Sequence, residues 1–133
     1  MRFVSRLDTT DPLYLYMDSN GDVSVITNGE DSGCDWLFNS KEKTLYNRGT
    51  GKYLAMLPQD AHNNFPLTGV DHGSISSAAT WYLWIFGNED GYIINSSENN
   101  TKLCIPSKGE TSPNPVVANY SWWGGPNQTW QLC

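Results

Sequence analysis

The sequence is poor in positive charge: eight Lys and Arg stand against fourteen Asp and Glu, a formal net charge of −6 over 133 residues. Neutralising nucleic-acid phosphates or anionic lipid takes a basic patch, so this balance argues against both and favours neutral or cationic partners. Histidine is scarce as well, with only His62 and His72 present, and neither sits in an H-x-x-x-H or H-E-x-x-H spacing. G-x-S-x-G and G-x-x-x-x-G-K are also missing, so the sequence shows none of the motifs for zinc-dependent hydrolysis, serine nucleophiles or phosphate-cradling loops. The acid pairs Glu30 with Asp31 and Glu89 with Asp90 fall in turns, where solvated charge is the ordinary outcome. We expect no catalytic residues, no metal and no cofactor.

Long apolar runs are missing too. Nowhere do eighteen apolar residues follow one another, and "MRFVSRLDTTDPLYLYM" at the N-terminus has neither an apolar h-region nor a small-residue cleavage site. The expectation is no membrane insertion. The chain would be cytoplasmic or non-classically secreted, unless it is a domain excised from a secreted protein. Sequons at Asn95, Asn99, Asn119 and Asn127 do not establish secretion in a chain so rich in Asn, Ser and Thr. Three cysteines, Cys34, Cys104 and Cys133, exclude a fully paired disulfide framework, and reduced, mostly buried thiols are expected. "DSNGDVS", Asp18 to Ser24, opens like a calcium loop, but its Gly21 comes too early and no closing Glu follows.

What the chain does have is many short apolar runs separated by turn residues: "FVSRL", "LYLYM", "DVSVIT", "DWLF", "TLYN", "KYLAML", "PLTGV", "WYLWIF", "GYIIN", "KLCI", "PVVANY" and "TWQL". These are strand candidates. No window of a dozen residues keeps a 3.6-residue apolar period without a Gly, Pro or turn cluster, so almost no α-helix is expected. "SNGD" at Ser19 to Asp22 and "EDG" at Glu89 to Gly91 offer residues that tolerate φ > 0, as hairpin turns require.

The runs also repeat. "WLFNSKEKTLYN" from Trp36 aligns without a gap on "WIFGNEDGYIIN" from Trp84, and Trp130 follows 46 residues later in "NQTWQLC". "RFVS" at Arg2 to Ser5 resembles "TLYN" and "YIIN", so the repeat closes on itself if the first and last strands pair. Three units of four strands closed in this way describe an all-β fold, a β-trefoil with a six-stranded barrel and a hairpin cap. We expect a single domain over residues 1–133, with repeats at about 1–40, 41–88 and 89–133. Trp36, Trp84 and Trp130 are expected to fill its core.

"QTW" at Gln128 to Trp130 matches the Q-x-W signature of ricin-type (R-type) carbohydrate-binding trefoils, and "NRGTGKYL" from Asn47 resembles their N-x-x-T-G-K/R-x-L segment. "YMDSNGDVSVITNGEDSGCDW" resembles the repeat unit of the small trefoil lectin actinohivin. At the Gln position of Q-x-W the first repeat has Cys34 and the second Tyr82, so only the third keeps the family residue. The resemblance implies glycan partners, favouring terminal galactose or N-acetylgalactosamine. In this family each repeat can hold a sugar between an Asp after its second strand, an aromatic ring and an Asn or Gln.

Carried over, the Asp is Asp18 in repeat one, with Asn28 as the later polar residue and Tyr16 or a neighbouring loop left to supply a ring. Leu57 stands at the Asp position in repeat two and Pro106 in repeat three. Asp71 and His72 could form a different polar site in repeat two. In repeat three the candidate contacts are Asn119, Tyr120, Trp122, Trp123 and Asn127. One or two working sites would favour a homodimer or fusion to a larger toxin-like or enzymatic partner. The alternative is a trefoil that binds protein, such as a protease inhibitor, through the insertion between Pro58 and Phe65.

Overall fold

The computed structural model describes residues 1–86, 91–106, 114–120 and 124–133, with Phe86 and Asn114 described in their backbone only. Trp122, Trp123 and the Glu89–Asp90 turn lie outside the described residues. Thirteen strands appear among the described residues: β1 (Phe3–Ser5), β2 (Tyr14–Met17), β3 (Val23–Ile26), β4 (Trp36–Asn39), β5 (Thr44–Asn47), β6 (Lys52–Met56), β7 (Phe65–Val70), β8 (Trp81–Phe86), β9 (Gly91–Ser96), β10 (Lys102–Cys104), β11 (Asn114–Pro115), β12 (Val117–Asn119) and β13 (Trp130–Leu132). The helical elements among the described residues are 3₁₀ turns, including Ser32–Cys34, Ser77–Ala79 and Pro126–Gln128.

Six strands close into a barrel. β4 pairs β5, β8 pairs β9, and β13 pairs both β9 and β1. Isolated backbone bonds complete the ring: Trp36 N–H donates to the Met1 carbonyl at 2.8 Å, the Met1 ammonium donates to the Trp36 carbonyl at 2.9 Å, and Trp81 N–H donates to the Lys43 carbonyl at 2.6 Å. The expected meeting of the chain ends is direct: Phe3 faces Leu132 and Ser5 faces Trp130. Closure leaves this barrel without the unpaired edges of an open sheet. The hairpins β2–β3, β6–β7 and β10–β12 cap one end. The architecture is a β-trefoil.

Threefold layers fill the centre. Phe3, Leu45 and Ile94 form one set, and Leu15, Leu54 and Leu103 another, all fully buried. Trp36, Trp81 and Trp130 form the third, likewise fully buried. Each ring removes roughly 200 Å² from water, about 5 kcal/mol before entropy. A buried indole N–H needs an acceptor, and Trp36 and Trp81 donate to the Leu15 and Leu54 carbonyls, both at 3.0 Å. The Trp130 indole N–H is buried with no hydrogen-bond partner among the described residues.

The middle core tryptophan is therefore Trp81, and the expectation for Trp84 is overturned: its side chain is 43% exposed. Trp36 pairs with Asn47, whereas Trp81 pairs with Ser96 and Trp84 with Ile93. The β8–β9 hairpin is four residues longer than β4–β5, so a gap-free alignment lands three residues late on one strand. The Gln position of Q-x-W in repeat two is consequently buried Ala79, not Tyr82.

Candidate functional site

Strand alternation sends Leu13, Leu15 and Met17 inward and turns Tyr16 outward. Beside Tyr16 opens a cleft of about 360 Å³ whose lining includes Asp18, Asp31, Ser32, Gly33 and Thr50. Its walls come from three segments far apart in sequence: the end of β2, the turn before β4, and the turn after β5.

Two carboxylates face this cleft, and each is fixed through one oxygen. Asp18 Oδ1 accepts the backbone N–H groups of Asn20 and Asp22, both at 2.9 Å. Asp31 Oδ1 accepts Gly33 N–H at 2.9 Å. Their Oδ2 atoms have no hydrogen-bond partner among the described residues, so both remain as acceptors. Burial first, and then the charges of Asp31 and Asp18, raise the Tyr16 phenol above its ordinary pKa. It therefore stays protonated, a donor beside two acceptors.

The turn after β5 holds this wall. Asn47 Nδ2 donates to the Gly33 carbonyl at 2.8 Å, while Asn47 Oδ1 accepts from Thr50 N and Oγ1, both at 3.0 Å. That is the structural work of the "NRGTG" segment. Gly33 is sterically required: an added Cβ would lie 2.4 Å from the Met17 carbonyl oxygen and 2.5 Å from Tyr16 Cε1.

The expected site residues separate. Asp18 and Tyr16 share the acidic cleft. Asn28 lines a different depression, together with Arg2, Tyr14 and Glu30, and its Oδ1 accepts Glu30 N–H at 3.3 Å. Asn119 donates through Nδ2 to Asn64 Oδ1, and Tyr120, 54% exposed, sets its ring 5.5 Å from Phe65 at 80°. Asn127, which stands three residues before Trp130 as Gly33 stands before Trp36, donates through Nδ2 to the Ile105 carbonyl at 2.9 Å. His72 packs 5.7 Å from Tyr53.

Repeat two keeps the cleft and changes its chemistry. A second opening of about 360 Å³ lies at the equivalent place, but Leu57 replaces Asp18, Pro58 replaces Ser19 and Ala78 replaces Gly33. Asp31 was missed in the sequence. A signal for it existed: an acid two residues before a glycine, ahead of a core tryptophan and opposite an outward-facing tyrosine.

Neither a sequence-family model nor a curated protein sequence matches the chain. Solved structures do. A designed threefold-symmetric protein, ThreeFoil, superposes with a TM-score of 0.79 at 18% identity, covering 98% of this chain and 94% of that one. A Macrolepiota procera ricin B-like lectin, solved in complex with lactose, gives 0.77 at 20% identity, over 98% of this chain and 93% of the lectin. The Rhizoctonia solani agglutinin gives 0.69 at 17% identity, with 98% and 92% covered. These likenesses establish the β-trefoil fold.

Proposed function

We propose that this protein binds glycans, with the acidic cleft of repeat one as its principal sugar site. The carrying observation is the pair of half-used carboxylates, Asp18 and Asp31, beside the Tyr16 hydroxyl in a shallow opening of about 360 Å³. Neighbouring sugar hydroxyls can donate to the free Oδ2 atoms in charge-assisted bonds, while the phenol donates to a ring or glycosidic oxygen. The exposed part of the Tyr16 ring offers an apolar surface to sugar C–H groups. Structural kinship to a lectin solved with lactose supports a terminal galactose or N-acetylgalactosamine as the favoured class. Asn119, Tyr120 and Asn127 remain secondary contacts in this reading, as do Trp122 and Trp123.

A single shallow site binds a monosaccharide at about the millimolar level, roughly −4 kcal/mol. Useful avidity then requires several copies, through a homodimer or a larger fused partner.

The test is Asp18→Asn on a glycan array and in calorimetry with lactose. The amide oxygen can still accept the backbone N–H groups of Asn20 and Asp22, so the fold survives. Loss of one charge-assisted bond, about 1.5–3 kcal/mol, should weaken binding roughly ten- to hundredfold. A folded protein that binds no glycan in any multivalent format would overturn the proposal and turn attention to a protein partner at the exposed 57–63 hairpin.

A further inference from the structure

We propose that the Tyr82–Trp84 face of β8 is a second sugar-contact surface, separate from the acidic cleft, on which a pyranose ring stacks against Trp84. Three observations carry it. The Tyr82 and Trp84 rings are stacked with centroids 5.8 Å apart and only 15° between their planes. Trp84 nevertheless keeps 43% of its surface exposed. Lys43 Nζ donates to the Tyr82 hydroxyl at 3.1 Å and lies 4.8 Å from the centre of that ring.

The other two repeats serve as internal controls. By strand pairing, the positions of Tyr82 and Trp84 in repeat two correspond to Leu37 and Asn39 in repeat one, and to Gln131 and Cys133 in repeat three. The barrel thus closes equally well with no aromatic at either place. The stacked pair does not serve the fold, since the core ring of this repeat is Trp81, which is fully buried.

The chemistry of the face fits a sugar. A pyranose presents a flat set of C–H groups on one side and hydroxyls around its edge. Trp84 offers a flat apolar surface, and the Lys43 ammonium has two further donors beyond the one spent on Tyr82. The net charge of −6 opposes docking on anionic lipid. This inference rests on the glycan-binding reading, but it concerns residues that share no wall with the acidic cleft.

The experiment is a ¹H–¹⁵N NMR titration of the whole chain with lactose, cellotriose and N,N′-diacetylchitobiose, following the six indole N–H signals; Trp84→Phe assigns the relevant one. Wild type, Asp18→Asn and Trp84→Ala are compared, with backbone dispersion reporting the fold. The Trp84 indole should shift with at least one sugar in wild type and equally in Asp18→Asn. Trp84→Ala should weaken the Asp18-independent binding at least about fivefold, whereas Trp84→Phe, which keeps a stacking ring, should cost under about threefold.

Shifts confined to the acidic cleft would overturn this inference and leave the proposed function standing. Silence at both places would overturn both. A Trp84 response to neutral phosphatidylcholine vesicles without any response to sugars would replace the sugar surface with a membrane-facing one.

Discussion

At the scale of residues, Tyr16 and Gly33 form one steric unit. The equivalent pair is Ala55 with Ala78 in repeat two and Cys104 with Asn127 in repeat three, so wherever the strand residue is smaller the turn residue carries a side chain. Gly33→Ala should therefore cost about 1–3 kcal/mol through overpacking against Tyr16 and the Met17 carbonyl. Adding Tyr16→Ala should recover part of that loss, as a double-mutant cycle by urea denaturation would show. Additive losses would contradict the steric account. The thiols give a pH prediction. Burial, and secondarily Asp31, push Cys34 up to about 12, and burial pushes Cys104 up to about 11, from an ordinary value of 9.0. A pKa raised in the folded state contributes stability in full below the unfolded value and loses it as pH rises through the folded one. Urea midpoints should thus fall from about pH 9 upward. Cys34→Ala, which installs the residue that repeat two carries as Ala79, should flatten the decline. In native protein a thiol reagent should label exposed Cys133 alone, since the other two are buried.

At the scale of elements, local turn chemistry was legible and hairpin length was not. "DSNGD" announced its turn, and the Asp18 bonds to Asn20 and Asp22 confirm it. The same turn recurs in "DAHNN", where Asp60 Oδ1 accepts His62 N–H at 2.9 Å and Asn64 N–H at 3.0 Å. There it sits three residues farther from the core, because β6–β7 runs beyond the length of β2–β3. Displacement of the Asp leaves Leu57 at the cleft, a change in the chemistry of its lining produced by hairpin length. The longer β8–β9 hairpin hid Trp81 in the same way, since a repeat alignment reads spacing and spacing is what the insertion alters. Burial separates the two tryptophans experimentally. Trp81→Ala should cost about 3–5 kcal/mol in chemical denaturation, and Trp84→Ala less than about 1 kcal/mol. Comparable losses would place Trp84 in the core after all.

At the scale of the whole molecule, the fold could be read from the sequence because its repeats share strand patterns, whereas the acidic cleft brings together residues 16–18, 31–33 and 49–50. Sequence reasoning found Asp18, whose role in the turn is local, and missed Asp31, whose place depends on how the turn after β5 holds the Gly33 carbonyl. The three repeats differ in chemistry at that place: acidic in the first, largely apolar in the second, and with Asn127 in the position of Gly33 in the third. They share the strand pairing that each contributes to the barrel. The pairs β4–β5, β8–β9 and β13–β1 play the same part, and only the last joins chain ends, where Arg2 and Cys133 exchange backbone bonds of 2.9 and 3.0 Å. The chain break is thus one of three nearly equivalent openings. Joining residue 133 to residue 1 through a short glycine-rich linker, and opening the exposed turn between Ser40 and Lys41, moves the break to an equivalent hairpin without removing a strand pair. This permutant should fold with a Tm within about 5 °C of the parent. It should also bind lactose at the acidic cleft with unchanged affinity, because no wall of that cleft contains the new termini. An unfolded permutant would mean that the β4–β5 connection stabilises the barrel in a way its symmetry mates do not. A folded permutant that had lost sugar binding would move the binding site away from Asp18 and Asp31, toward the opened turn.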